Sequence, residues 1–107
     1  MSFEINGIEW EIIYVHPFSD DLRRSDGSLT LGVTDMSKRA VFLSYELKGA
    51  MLRRVLAHEL THCFCLSYSI YIPIEQEEFM ADWVATYGAD LIYLLDSLMK
   101  NMVRKVI

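Results

Sequence analysis

Apolar residues recur at one period before residue 45 and at another after it. In the first segment, Phe3-Glu4-Ile5 and Ile8-Glu9-Trp10-Glu11-Ile12 flank Asn6-Gly7. Asn-Gly between β-type residues is the strongest short hairpin signal. Ile8, Trp10, Ile12 and Tyr14 share one face of the second strand, with Glu9 and Glu11 on the other. His16-Pro17 closes it, because the residue before a proline is pushed to extended conformations. Ser19 to Ser28 is polar and reads as a loop with room for one helical turn. Leu29 to Thr34 reads as a strand, Asp35 to Arg39 as a turn and Ala40 to Ser44 as a further strand, making residues 29–44 a second hairpin. The N-terminal half is therefore predicted to be a small, mostly antiparallel sheet of three or four strands.

From about Glu46 to about Tyr68, apolar residues fall at helical spacing: Leu47, Met51, Leu52, Val55, Leu56, Leu60, Cys63, Phe64. Ser44 is the expected N-cap of this long helix. Ser69 to Pro73 is a connector. A second helix opens with Glu75, Gln76, Glu77 and Glu78, where acids complement the helix dipole. Gly88 is expected to bend or split it. Leu91, Leu95, Leu98, Met102 and Val106 then form a stripe, a pattern more often buried in a core than used as an interface. A homodimer through this C-terminal helix is the other reading. Arg104 and Lys105 suit the negative end of the dipole. The fold class is α+β: one domain over residues 1–107, its sheet packed on a long helix and a second, C-terminal helix or helix pair.

Composition narrows the function. The chain is 52% hydrophobic, enough to build a core without disulfides. A net charge of −5 leaves no basic face for a phosphate backbone, so no nucleic-acid partner is expected. Cys63 and Cys65 are two apart on one predicted helix and point to different sides, so they read as reduced thiols. The N-terminus shows no basic, then apolar, leader pattern. The late apolar stretch from Leu91 to Met99 contains Asp96 and ends at Lys100, too short to cross a bilayer. No membrane partner is expected, and the simplest location is the cytoplasm.

The chemistry sits in Ala57-His58-Glu59-Leu60-Thr61-His62, an H-E-x-x-H signature. Residues four apart on a helix share a face, so both imidazoles can converge on one cation. Glu59 is rotated roughly 100° from His58, beside the metal rather than on it. The bland alternative is a helix whose histidines sit on its surface or in the core. A catalytic zinc needs a third protein ligand, and the candidates are His16, Glu75, Glu77, Glu78, Asp82 and Asp90. Glu78 fits best, because Asp82, one turn on, can then accept the outer N–H of a zinc-bound histidine. Glu77 and His16 remain alternatives.

These residues resemble a known pattern. His58-Glu59-Leu60-Thr61-His62 followed by Glu78-Phe79-Met80-Ala81-Asp82 is similar to the gluzincin arrangement of two histidines, a later glutamate and an acid four residues on. More narrowly, Arg53 to His62 and Glu78 to Ala85 resemble the paired helix motifs of compact ImmA/IrrE-type metallopeptidases of bacteria and their mobile elements, over roughly residues 29–88. Met80 and Val84 stand where that family commonly has Glu and Phe, and no helix-turn-helix accompanies the domain. The resemblance implies a minimal zincin-like fold, one Zn²⁺ and limited proteolysis of an intracellular protein. A repressor or regulator of a phage or mobile element is the implied substrate. It also places Ala40–Ser44 where the family has its substrate-binding sheet edge.

The expected site is therefore His58, His62 and Glu78 on zinc, Glu59 as general base and Asp82 behind a histidine. Tyr68, Tyr71 and His16 are the candidate donors to a developing oxyanion. The competing class is a catalytically silent, zinc-stabilised protein-interaction module. A third reading has residues 89–107 folding over the cleft as an autoinhibitory segment.

Overall fold

The computed structural model describes the backbone of residues 1–106 and side chains as far as Val103. The predicted behaviour of Arg104, Lys105 and the Val106 side chain lies outside the described residues. Strands β1 (Ser2–Ile5) and β2 (Ile8–Val15) form the expected hairpin. Asn6 and Gly7 both take positive φ, 50° and 77°, the geometry a tight two-residue turn needs. The polar loop contains one 3₁₀ turn, Asp20–Leu22, with Ser19 Oγ accepting from Asp21 N at its start. Strands β3 (Gly32–Asp35) and β4 (Ala40–Ser44) form the second hairpin. β3 starts later than the sequence suggests, because Leu29 is occupied in an isolated bridge with Arg23.

The sheet order is β1-β2-β4-β3. Both hairpins are antiparallel, but β4 lies parallel to β2, so the sheet is mixed. β4 is also an interior strand rather than an edge, which corrects the expectation for Ala40–Ser44. Its composition explains this: Ala-Val-Phe-Leu-Ser has no polar alternation, the mark of a strand covered on both faces, and all five residues are buried. The strand left at the sheet's margin on this side is β3.

Helix α1 (Gly49–Ser67) packs on one face of the sheet. Trp10, Val41, Leu43, Leu47 and Cys63 form that core, with Leu52, Val55, Leu56 and Leu66 around it. The fully buried Trp10 donates its indole N–H to Ser67 Oγ at 2.9 Å, and Asn6 Nδ2 donates to Ser67 O at 3.0 Å. These two bonds fix the last turn of α1 against the first hairpin. Lys48, not Ser44, occupies the N-cap, with no side-chain cap bond. Ser44 ends β4 and accepts from Glu46 N, so its side chain serves the turn instead. The opposite sheet face is closed by Leu22, Ala40 and Phe42.

Helix α2 (Ile74–Trp83) crosses α1 and continues through a π-helical turn, Val84–Gly88, into α3 (Ala89–Val106). Gly88 thus marks a change of helix type. The stripe beginning at Leu91 is not core: Leu91, Leu95, Leu98 and Met102 are each about half exposed. Among the described residues, no helix is long and apolar enough to cross a membrane.

β3 sits unusually close to α1 because of Gly32. A Cβ there would meet Val55 Cγ1 at 2.8 Å, and Glu59 Cγ and Leu43 Cδ2 at 3.2 Å. Gly32→Ala is therefore expected to destabilise the fold by about 1–3 kcal/mol, through overpacking between strand and helix. Chemical denaturation reads this, and an unchanged midpoint would contradict the close approach.

Candidate metal centre

α1 carries His58, Glu59 and His62, and α2 brings Glu77, Glu78 and Asp82 against them. His58 Nε2 and His62 Nε2 lie 3.2 Å apart. Glu78 reaches both rings, with Oε2 at 3.2 Å from His58 Nε2 and Oε1 at 2.9 Å from His62 Nε2. One ligand atom from each of His58, His62 and Glu78 falls within 4.8 Å of the others, so the three side chains could hold a metal ion.

The spacing fits a small tetrahedral cation. Bonds of about 2.0–2.1 Å around a tetrahedron put neighbouring ligand atoms about 3.3 Å apart. The two Nε2 atoms, 3.2 Å apart, match that edge length, and each is approached by a different oxygen of Glu78.

The outer ring nitrogens are committed elsewhere. His58 Nδ1 donates to Asp82 Oδ1 at 2.9 Å, and His62 Nδ1 donates to Glu77 Oε2 at 2.6 Å. With an Nδ1 proton on each ring for these acceptors, both Nε2 lone pairs are left for a metal ion. Asp82 stands behind His58, the kind of partner expected from its spacing to Glu78. Glu77 was a candidate ligand in the sequence; the structure sets it behind His62. Its side chain is largely buried, at 13% exposure, whereas that of Asp82 is at 72%. The signal available for Glu77 was its neighbour: if Glu78 faces α1, the residue one before it lies roughly 100° around the same helix.

Glu59 is buried and does not join the ligand cluster. Thr34 Oγ1, on β3, lies 2.9 Å from Glu59 Oε1 and 3.1 Å from Glu59 O, and its single O–H donates to one or is shared between the two. Sequence reading missed Thr34, which carried no signal beyond its place in a strand. His58, Glu59, His62, Glu77 and Glu78 all line one cleft of about 590 Å³. Its opposite walls are Gly32, Val33 and Thr34 of β3, and Arg23 and Arg24 of the preceding loop.

The structure does not bring the three candidate oxyanion donors to this cleft. Tyr68 stacks on Phe64 at the end of α1, and Tyr71 is 81% exposed in the connector. His16 packs between Phe18 and Tyr45, and its Nδ1 accepts from Phe18 N. Nor does α3 cover the cleft, whose described lining ends at Glu78, so the autoinhibitory arrangement is not the one observed.

Both thiols are buried and free. Burial pushes the Cys63 thiol up to about 12, against a bond with Thr34 that lowers it. Burial also raises Cys65, helped by the nearby Glu77 charge. Neither belongs to the His58–His62–Glu78 group.

No protein-family model matches the chain, and no curated protein matches it either.

Glu77→Gln and Asp82→Asn are each expected to weaken metal affinity by about 10–100-fold, with Glu77 the more sensitive. Competition against a chromophoric chelator measures this. Unchanged affinity in both variants would mean that the carboxylates do not orient the rings.

Proposed function

We propose that the protein is a zinc-dependent metalloendopeptidase. The observation that carries this reading is the pairing of a three-ligand cluster with a buried, separately held carboxylate in one open cleft. A closed structural site takes four protein ligands and commonly uses thiolates, whereas here both cysteines lie outside the cluster. Glu59 has no part in holding the ion, so a purely structural site leaves its burial beside the cluster without a purpose.

His58, His62 and Glu78 would hold Zn²⁺, which when bound would supply Lewis acidity and lower the pKa of a water to roughly 7. Glu59 takes the proton of the attacking water and returns it to the leaving amine. Thr34 holds Glu59 in place for both transfers, while Asp82 and Glu77 keep the two imidazoles in the ligating tautomer.

The substrate class follows from the cleft's wall. β3 is an edge strand bordering the cleft, with one row of backbone groups not engaged by β4. An extended peptide can add to it as a further strand, which brings a main-chain carbonyl, not a terminus, past the ion. This role belongs to β3 rather than to Ala40–Ser44. The likeness of the two helical motifs to ImmA/IrrE-type peptidases adds an intracellular regulatory protein as the target, cut at a limited number of sites.

Glu59→Gln is expected to retain zinc and to lose at least about 100-fold in hydrolysis of a fluorogenic extended-peptide library. Zinc content by atomic absorption and cleavage by fluorescence separate the two effects. A variant that cleaves at the wild-type rate would sink the mechanism. A zinc-loaded wild type without peptidase activity, which unfolds on chelation, would favour the structural role.

A further inference from the structure

Two arginines stand in the wall of the cleft that faces the His58–His62–Glu78 group, and they are not equivalent. Arg23 is committed. Its Nε donates to Asp20 Oδ1 at 3.1 Å, and a terminal nitrogen donates to Gly27 O at 2.7 Å. The exposed Arg24 makes one side-chain bond, from Nη2 to Thr30 Oγ1, at a long 3.4 Å. It forms no ion pair among the described residues. Asp26, two residues on, spends Oδ1 on Ser28 N and Ser28 Oγ, at 2.9 and 2.6 Å. A guanidinium has five N–H donors, so Arg24 keeps nearly all of its own for another partner.

The backbone beneath Arg24 is fastened. Arg24 N donates to Ser28 O at 2.7 Å, and Gly27 N donates back to Arg24 O at 2.9 Å, closing a tight turn in which Gly27 takes φ 88°. Arg23 bridges Leu29, Thr30 N donates to Leu22 O at 2.9 Å, and the Leu22 side chain is fully buried. This small hairpin leads directly into β3. Leu31 O accepts from Ser44 N at 3.0 Å, which carries the pairing with β4 back by one residue. Thr30, Gly32, Val33 and Thr34 therefore follow one another along the same wall of the cleft. Gly32 and Thr34 are the positions beside Glu59. At about 3.3 Å per residue, Thr30 lies roughly 7–13 Å along the strand from them.

We propose that Arg24 is a specificity-determining residue, which takes the side-chain carboxylate of an Asp or Glu in the extended peptide, roughly two to four residues from the point of cleavage. This rests on the peptidase reading of the cleft and adds the chemistry of the peptide. The remaining ionisable groups of the cleft lining are His58, His62 and the three glutamates, so the two arginines supply its fixed positive charge. The chain as a whole carries −5, so no general field draws an acidic peptide in, and its recognition falls to a local contact. A guanidinium offers a carboxylate two parallel N–H donors, and the Thr30 hydroxyl beside it can give a third. The long bond between Arg24 and Thr30 is weak enough to be exchanged for these. A free C-terminus carries the same group as an acidic side chain; capped peptides separate the two.

Binding is measured on zinc-loaded Glu59→Gln protein, which leaves peptides uncut, by anisotropy of rhodamine-labelled nonapeptides at low salt. The peptides are acetylated and amidated, with Glu or Gln fixed at one position and uncharged residues elsewhere. Glu at one or two adjacent positions is expected to bind about fivefold tighter than Gln there. Adding Arg24→Gln is expected to erase that difference, with the affinity of the Gln peptides and the circular dichroism unchanged. Arg24→Glu is expected to favour Lys over Glu at the same position, which a merely structural arginine would not do. Equal binding of Glu and Gln peptides overturns the proposal. So does a preference that survives Arg24→Gln, a gain confined to peptides with a free C-terminus, or no peptide binding at all. The peptidase reading is judged separately, by cleavage of the same peptides with zinc-loaded wild type. An Arg24-dependent preference without cleavage removes that reading and leaves Arg24 as the carboxylate-binding residue of a peptide cleft; cleavage without the preference does the reverse.

Discussion

Two imidazole nitrogens and a carboxylate are held at 2.9–3.2 Å from one another with their lone pairs directed inward. Electron-rich atoms at that distance repel unless a proton or a cation lies between them. The Nδ1 protons of both rings are given to Asp82 and Glu77, so they cannot relieve it. A proton on both Nε2 atoms would satisfy Glu78 but set two N–H groups against each other. A divalent cation between the three groups would relieve all three contacts together. Much of the fold serves to hold this arrangement. Trp10 and Asn6 anchor the end of α1 through Ser67, and the sheet core fixes its inner face. The two carboxylate–imidazole bonds then tie α2 to α1.

Glu59 is held by a different part of the molecule from the ligands, and this separation matters. The cluster closes between two helices; the acid beside it turns toward the sheet. Gly32 lets β3 approach α1 closely enough for Thr34 to reach the Glu59 carboxylate. The same short strand offers its free edge to the cleft. One element therefore both contacts Glu59 and borders the cleft as an edge strand. A shift of β3 relative to α1 would disturb both arrangements together, which ties the glycine's missing side chain to the site's geometry.

Periodicity made the local elements legible: Asn6-Gly7 as a turn, the helical recurrence from Leu47 onward, and His58 and His62 on one face. The link from Glu78 to Asp82 was also legible, because i,i+4 spacing survives into the folded helix. What could not be read was any relation between segments distant in the chain. The parallel pairing of β2 with β4 depends on the chain passing outside β4 before returning. The unbroken apolar run of β4 fits an interior strand, whereas its expected place at the sheet edge came from the family resemblance. Glu77 looked like part of an acidic first turn, since its purpose depends on His62, on another helix. The α3 stripe was read correctly as a face, but a periodic pattern does not say what lies opposite.

Ala81 shows how a small residue can set the reach of a ligand. It sits between Glu78 and Asp82 on α2 and is fully buried. A glutamate side chain has a fixed length, so Glu78 bridges two imidazoles only if the helix axes are close. A methyl group at the crossing permits that approach; a leucine there would force the axes apart or push neighbouring side chains off their rotamers. In the sequence Ala81 carried no chemistry of its own. In the fold it is buried on the helix that carries Glu78, Glu77 and Asp82, so the approach of that helix to α1 depends on a residue outside the His58–His62–Glu78 group.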